Sequence, residues 1–277
     1  MNGVSFYKEK MTDENAVYFT EEFFDISSDG TRDVSEELQR AIYSVVKQDG
    51  YGVLFVPEGK YLLSRTIYMP KAVRMIGYGK NRPEFILKDN AEGFDIEHPE
   101  QKGGFQYLFW FVNMMQEDET KIQDANPGTF YSAISNINVS LGKGNPYAVA
   151  FRTHYAQHCF INHIDIHVES GMAGIYDVGN EMEDVYINGG RYGIITTKCS
   201  PGWPFVMVDT RFYGQAVAAI KTREAGLNII RTHSVNTSKF IDVEEGYFEK
   251  LVIEDSIFDD MRSEEHTSEL QSRGTIS

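Results

Sequence analysis

The sequence is poor in the residues that staple small folds. It has two cysteines in 277 residues, Cys159 and Cys199. Two distant thiols cannot make a disulfide framework, and neither lies in a metal-type CxxC pair. They read as buried free thiols. Cationic side chains are also in deficit, with 26 Lys and Arg against 41 Asp and Glu, a formal net charge of −15 and a pI of about 4.9. Nothing in that balance neutralises phosphates, which excludes nucleic acid as a partner. It also disfavours a polyanionic substrate, unless a local basic cleft overrides the total. No apolar run reaches the length of a membrane span. The first fifteen residues are polar and lack the apolar core of a signal peptide. Taken literally the chain is cytoplasmic. A missing upstream start would hide a signal peptide and make the protein secreted or periplasmic.

What is present is short apolar segments in quantity: the chain is 42% hydrophobic, enough for one large all-β core. The first strong element is a helix. Asp33 is placed to cap it, with Glu36 three residues on as a capping-box partner. Leu38, Ala41, Ile42, Val45 and Val46 then fall on one face, and Gly50 is a natural stop. After it the period shortens. Residues 53–56, 61–63, 66–69 and 73–76 read as short strands, with Pro57, Glu58 and Gly59 as a turn. The stretch 88–128 reads as a strand-containing excursion with a long loop, aromatic at 105–111 and acidic at 117–119.

From Tyr131 a repeat sets in. Apolar segments begin at Ile137, Ile164, Val185, Val208, Ile230 and Ile253, at intervals of 27, 21, 23, 22 and 23. A period of this size without helical patterning means a β-solenoid. Stacked coils bury a continuous apolar column, while the open end of the stack exposes unpaired backbone. The helix is well placed to cover one end. Residues 1–23 read as an N-terminal extension and 24–261 as the solenoid domain. The pattern stops at Met261. Residues 262–272, RSEEHTSELQS, resemble the in-frame translation of a sequencing adapter, and the last residues fit its continuation. The expectation is an artefactual tail over 262–277, with the natural domain truncated at its C-terminal end.

Asp29-Gly30-Thr31, the helix, 53–56 before Pro57, Gly59-Lys60-Tyr61 and Ile76-Gly77-Tyr78-Gly79 together resemble the opening of the pectate-lyase-like superfamily. The same domain is labelled glycoside hydrolase family 28-related, or rhamnogalacturonase/epimerase-like. The resemblance runs from Phe24 to Met261. It implies an all-β, right-handed parallel β-helix with an N-terminal capping helix, and carbohydrate chemistry in most relatives. A looser resemblance, over 148–158, 173–180 and 189–193, is to glycoside hydrolase family 55. That family pairs two β-helical halves, with its general acid in the second. Gln157 matches its glutamine, but Asn180 or Glu181 stands where it has a serine. The Asn-Thr-Asp, Gly-His-Gly and Arg-Ile-Lys motifs of polygalacturonases are missing.

The candidate chemistry follows from stacking. Gln157, Asn180 and Trp203 are 23 residues apart and are expected in one column, with Glu181, Glu183 and Asp184 beside it. Amides, carboxylates and an indole on one wall suit a sugar site. Gln157, Glu181, Glu183 and Asp184 are the catalytic candidates. Trp203, Lys198, Arg211, His154, His158 and Tyr192 are the substrate-binding ones. His154 and His158, like His163 and His167, are four apart and would share a strand face. No third or fourth ligand completes a metal set, so no metal or other cofactor is expected. The leading function is glycoside hydrolysis of a neutral or weakly charged polysaccharide or oligosaccharide. One alternative is a pectate-type lyase, using Ca²⁺ at 181–184 and Arg211 or Lys198 as base. Another is a non-catalytic, glycan-binding tailspike or adhesin. The sequence does not specify an oligomer.

Overall fold

The computed structural model describes residues 4–198 and 202–261. Cys199 and the adapter-like tail lie outside the described residues. The chain is a parallel β-solenoid of about nine turns, only 7% helical. Among the described residues the strands form two sheets, one of sixteen strands and one of seven. The inner coils contribute to both, and every ladder between coils is parallel, as in Ala148–Arg152 against Ala173–Tyr176. Among the described residues no helix is long and apolar enough to cross a membrane.

Strand residues alternate between the inside and outside of the coil, and identical positions on successive coils stack. Leu54, Met75, Ile134, Ile161, Met182, Met207 and Ile229 are register partners in series. All are at most 2% exposed. Each such side chain contributes roughly 1.5–3 kcal/mol of burial. No single coil could bury its own column.

The helix spans Ser35–Asp49. It buries Leu38, Ala41, Ile42 and Val45, with Val46 packed at the margin. Gly50 ends it at φ 77°, its N–H donating to Val46 O. Its start differs from expectation. The N-cap position is Val34, and no side chain caps it. Asp33 is the last residue of the strand Asp29–Asp33, and its Oδ1 accepts from Ser35 N (2.9 Å) and Ser35 Oγ (2.6 Å). Strand pairing with Leu62 holds Asp33 one residue too early to cap. The helix packs over the first coils, where Gln39 brackets Tyr68: its Nε2 donates to Tyr68 O and its Oε1 accepts from Tyr68 N. Within the N-terminal segment, Val17 and Tyr18 pair in parallel with Leu54 and Phe55.

The sixteen-stranded sheet turns a corner in each coil. There Asn136, His163, Asp184, Asp209, Arg231 and Asp255 occupy the left-handed region, with φ between 49° and 56°. Asn, Asp and His tolerate that conformation best, because short polar side chains satisfy the local backbone. Asn136 shows how: its Nδ2 donates to Gly77 O and Ser5 Oγ, and its Oδ1 accepts from Phe6 N.

The expected column of Gln157, Asn180 and Trp203 does not form. Phe160 pairs with Glu181 and Glu181 with Val206, so successive coils differ by 21 and 25 residues rather than 23 each. The two intervals average to the expected value, because the loop before Trp203 lengthens one coil. Asn180 therefore sits on Cys159, donating to its carbonyl at 2.9 Å. The histidine pairs separate for a related reason. His163 is a corner residue bound to Asp184, whereas His167 lies beyond the corner against Asn188. His154 and His158 lie in the connection after the strand Ala148–Arg152, not on a strand.

Candidate functional site

The outer face of the seven-stranded sheet carries a ladder of Tyr68, Trp110, Arg152, Tyr176, Ile195, Lys221 and Asp242, one from each strand in register. The first four are covered by loops and the last three are not. Arg152 is 1% exposed. Its Nε donates to Asp124 Oδ1 (2.9 Å) and its Nη1 to Asp177 Oδ2 (3.1 Å). Its guanidinium lies 5.3–6.0 Å from the ring centres of Tyr107, Trp110 and Tyr176. Trp110 Nε1 donates to Asp124 Oδ1 at 2.8 Å, and Lys102 Nζ donates to Asp177 Oδ2 at 2.7 Å. His154 Nδ1 is 2.9 Å from Ala125 O and 3.5 Å from Asp124.

Burial alone would raise both carboxyls. In Asp124 it is outweighed by hydrogen bonds from His154, Arg152 and Trp110 and by the Arg152 charge. In Asp177 it is outweighed by the charge of Arg152 and by Lys102. Both are held below the ordinary carboxylate value. Burial lifts the Tyr176 phenol to about 12, helped by the Asp177 charge. The cluster is thus a closed set of satisfied charges. It ties the loops bearing Lys102 and Asp124 to the sheet.

Beyond Tyr176 the face opens into a groove of about 410 Å³. Gly103, Phe105 and Tyr176 stand at one side, and Arg191, Tyr192, Ile195, Lys221, Arg223 and Glu244 line the rest. Among these lining residues three cations face one carboxylate, the reverse of the chain's overall balance. Lys221 Nζ sits 5.8 Å from the centre of the Tyr192 ring. Arg223 pairs with Glu244 at 3.3 Å. Asp242, paired with Lys239 at 3.3 Å, is the register partner of Lys221. Asp242 and Glu244 are two residues apart on one extended segment and share its outer face. Their attachment points are roughly 6.5 Å apart. Glu244 lines the groove, and Asp242 lies beside it as the register partner of the lining residue Lys221.

The sequence-derived candidates are dispersed around this frame. Tyr192 lines the groove. His154 braces Asp124 at the covered end. Lys198 is exposed, next to Thr197, whose Oγ1 donates to Asp177 Oδ1 at 3.1 Å. Gln157 lies in the turn before Phe160–Glu169, its Oε1 buried without a protein partner. His158 in the same turn stacks on Tyr131, with ring centres 5.0 Å apart. Trp203 is 49% exposed. Glu181 and Glu183 point to solvent from the sixteen-stranded sheet and do not line the groove. Asp184 accepts from His163 (3.0 Å), Arg82 (3.0 Å) and Arg211 (3.4 Å) at the corner. Burial would raise its carboxyl, but the His163 hydrogen bond and the Arg82, His163 and Arg211 charges hold it low. Among the described residues no three His, Cys, Asp or Glu side chains converge as a metal site. Sequence reasoning missed Lys221, Arg223, Asp242 and Glu244. Their signal was the alternation of charged with uncharged residues over 220–223 and 241–244.

The fold is thus a parallel β-helix with a polar groove on one outer sheet face. This chain belongs to the rhamnogalacturonase A/epimerase, pectate lyase-like family, whose pattern matches residues 23–240. A search of curated protein sequences found no match. Among solved structures, PfbA, a surface adhesin of Streptococcus pneumoniae, is similar at 12% identity and TM-score 0.54, over 88% of this chain and 71% of PfbA. The catalytic domain of a glycoside hydrolase family 87 α-1,3-glucanase in complex with nigerose is similar at 10% identity and TM-score 0.53. That match covers 92% of this chain but only 46% of the glucanase domain. A second glucanase structure, in complex with tetrasaccharides, gives 10% identity and TM-score 0.51 over the same shares. At these identities the likeness establishes the fold.

Proposed function

We propose that the groove binds a segment of an acidic polysaccharide and that Asp242 and Glu244 act on its glycosidic bond as a carboxyl pair. The observation that carries this reading is the charge reversal: Arg191, Lys221 and Arg223 gather on one sheet face of a chain with net charge −15. Carboxylate or sulfate groups on a sugar chain are the partners such a face suits. Tyr192, in the groove lining, offers a ring face for a sugar. One carboxyl then protonates the leaving oxygen while the other attacks or activates water. The family supports saccharide chemistry. The reading departs from the neutral or weakly charged substrate expected from net charge, because local charge governs binding within a Debye length of roughly 8–10 Å.

The test is a panel of polygalacturonate, alginate and a sulfated galactan, assayed for binding and for new reducing ends. Lys221→Ala with Arg223→Ala should weaken binding about tenfold or more, and added salt should do the same. Asp242→Asn and Glu244→Gln should abolish turnover while binding persists. Loss of turnover in Glu181→Gln and Glu183→Gln, with Asp242→Asn and Glu244→Gln active, would move the chemistry to the other sheet. A product with new ultraviolet absorbance would assign the groove to elimination instead.

A further inference from the structure

The groove has a built end. Along the outer ladder Tyr68 is 5% exposed, Trp110 8%, Arg152 1% and Tyr176 6%, while Ile195, Lys221 and Asp242 are half-exposed. The change falls at one place. The strand Gln106–Val112 pairs with Ala148–Arg152, yet the loop before it, residues 98–105, does not stay over its own coil. It reaches across to Tyr176, on the next strand of the seven-stranded sheet, Ala173–Tyr176, and to Asp177 just past that strand. Lys102 is tied there by Asp177, and Tyr107 donates its hydroxyl to Lys102 O. Gly103, at φ 81°, lies so close to Tyr176 that a Cβ would stand 2.7 Å from the ring. Phe105 meets Tyr176 edge-on at 5.5 Å. The loop is braced internally by His98 N to Gly104 O and Gly104 N to Gln101 O. Gly103 and Phe105 are at once the edge of this wall and part of the groove lining.

A sugar chain lying along the solenoid axis over Lys221 and Ile195 therefore runs into a fixed obstacle at Tyr176. We infer that the 98–105 loop is a stop that makes the groove select the terminus of an acidic saccharide chain over its interior. This rests on the groove being the saccharide site and adds the direction and limit of its occupancy. Lys102 and Phe105 are the specificity-determining residues, and the buried Arg152 cluster keeps them in place.

The experiment uses the full chain and whichever panel polysaccharide it binds. That polymer is cut by mild acid into fractions of decreasing length and compared at equal mass. End selection predicts that apparent affinity per unit mass rises with the number of chain ends, about tenfold for tenfold shorter chains. Binding that depends on mass alone, or that falls with shortening, overturns the stop while leaving the groove intact as a binding site. Binding to no polysaccharide, or binding unchanged by Lys221→Ala with Arg223→Ala, overturns the groove reading and this inference with it. The Lys102→Ala and Phe105→Ala variants should flatten the length dependence without abolishing binding. Retention of the full dependence in both would overturn the loop's role. Lys102 is 53% exposed, so its substitution leaves the fold intact, and circular dichroism checks this.

Discussion

Arg152 shows what a single residue does here. Its side chain is 1% exposed between Asp124 and Asp177, so removing it takes the buried cation from both carboxylates and leaves Asp177 only Lys102 as a charged partner. Breaking a buried pair from one side costs about 3–5 kcal/mol. Arg152→Met should lose that much in urea unfolding; a loss below about 1 kcal/mol would mean the carboxylates are solvated without it. The same cluster sets an acid sensitivity. Asp124 and Asp177 titrate below their ordinary value in the folded chain. Their contribution is complete above the unfolded value of about 3.9. It is lost as pH falls below that point and through the folded values. Urea midpoints measured from pH 6 down to pH 3 should drop steeply below about 4, and Asp177→Asn should flatten the drop.

Among the elements, the helix Ser35–Asp49 was legible because Leu38, Ala41, Ile42 and Val45 repeat at helical spacing and Gly50 supplies the stop. Its cap was not, since Asp33 is claimed by strand pairing and no local rule reports that. Two substitutions separate packing from backbone. Leu38→Ala empties a fully buried site and should cost about 2–5 kcal/mol. Gly50→Ala meets nothing within 4 Å, so it costs only the left-handed conformation, about 1–2 kcal/mol. Thermal and urea unfolding of the pair should rank them in that order. The corner residues were unread for a different reason. Asn136, His163 and Asp184 look like ordinary polar strand residues until their positive φ is seen.

At the scale of the molecule, coils stabilise one another through nearest neighbours, so protection should follow position in the stack. Strand residues Phe109, Phe151 and Ile164 are fully buried. Hydrogen exchange should be slow over Gln106–Val112 and Ala148–Arg152, which have a parallel neighbour on each side, and fast over the exposed loop residues 117–121. Equal protection in strands and loop would argue against nearest-neighbour coupling.

The division between sequence and structure follows from range. Apolar periodicity is local, and it determined by itself that the chain is a helix followed by stacked short strands, because no coil can bury its column alone. The Gly59-Lys60-Tyr61 and Ile76-Gly77-Tyr78-Gly79 signatures placed the family on the same local footing. Register is not local. The average interval of 23 residues hid coils of 21 and 25, and that slip dissolved the expected wall of Gln157, Asn180 and Trp203. Net charge is a sum, and a sum cannot say that Arg191, Lys221 and Arg223 meet on one face. Only the tertiary structure gathered those cations in one groove with Glu244 and laid the 98–105 loop across its end. Each of those contacts joins residues from different coils, whose stacking no single coil specifies.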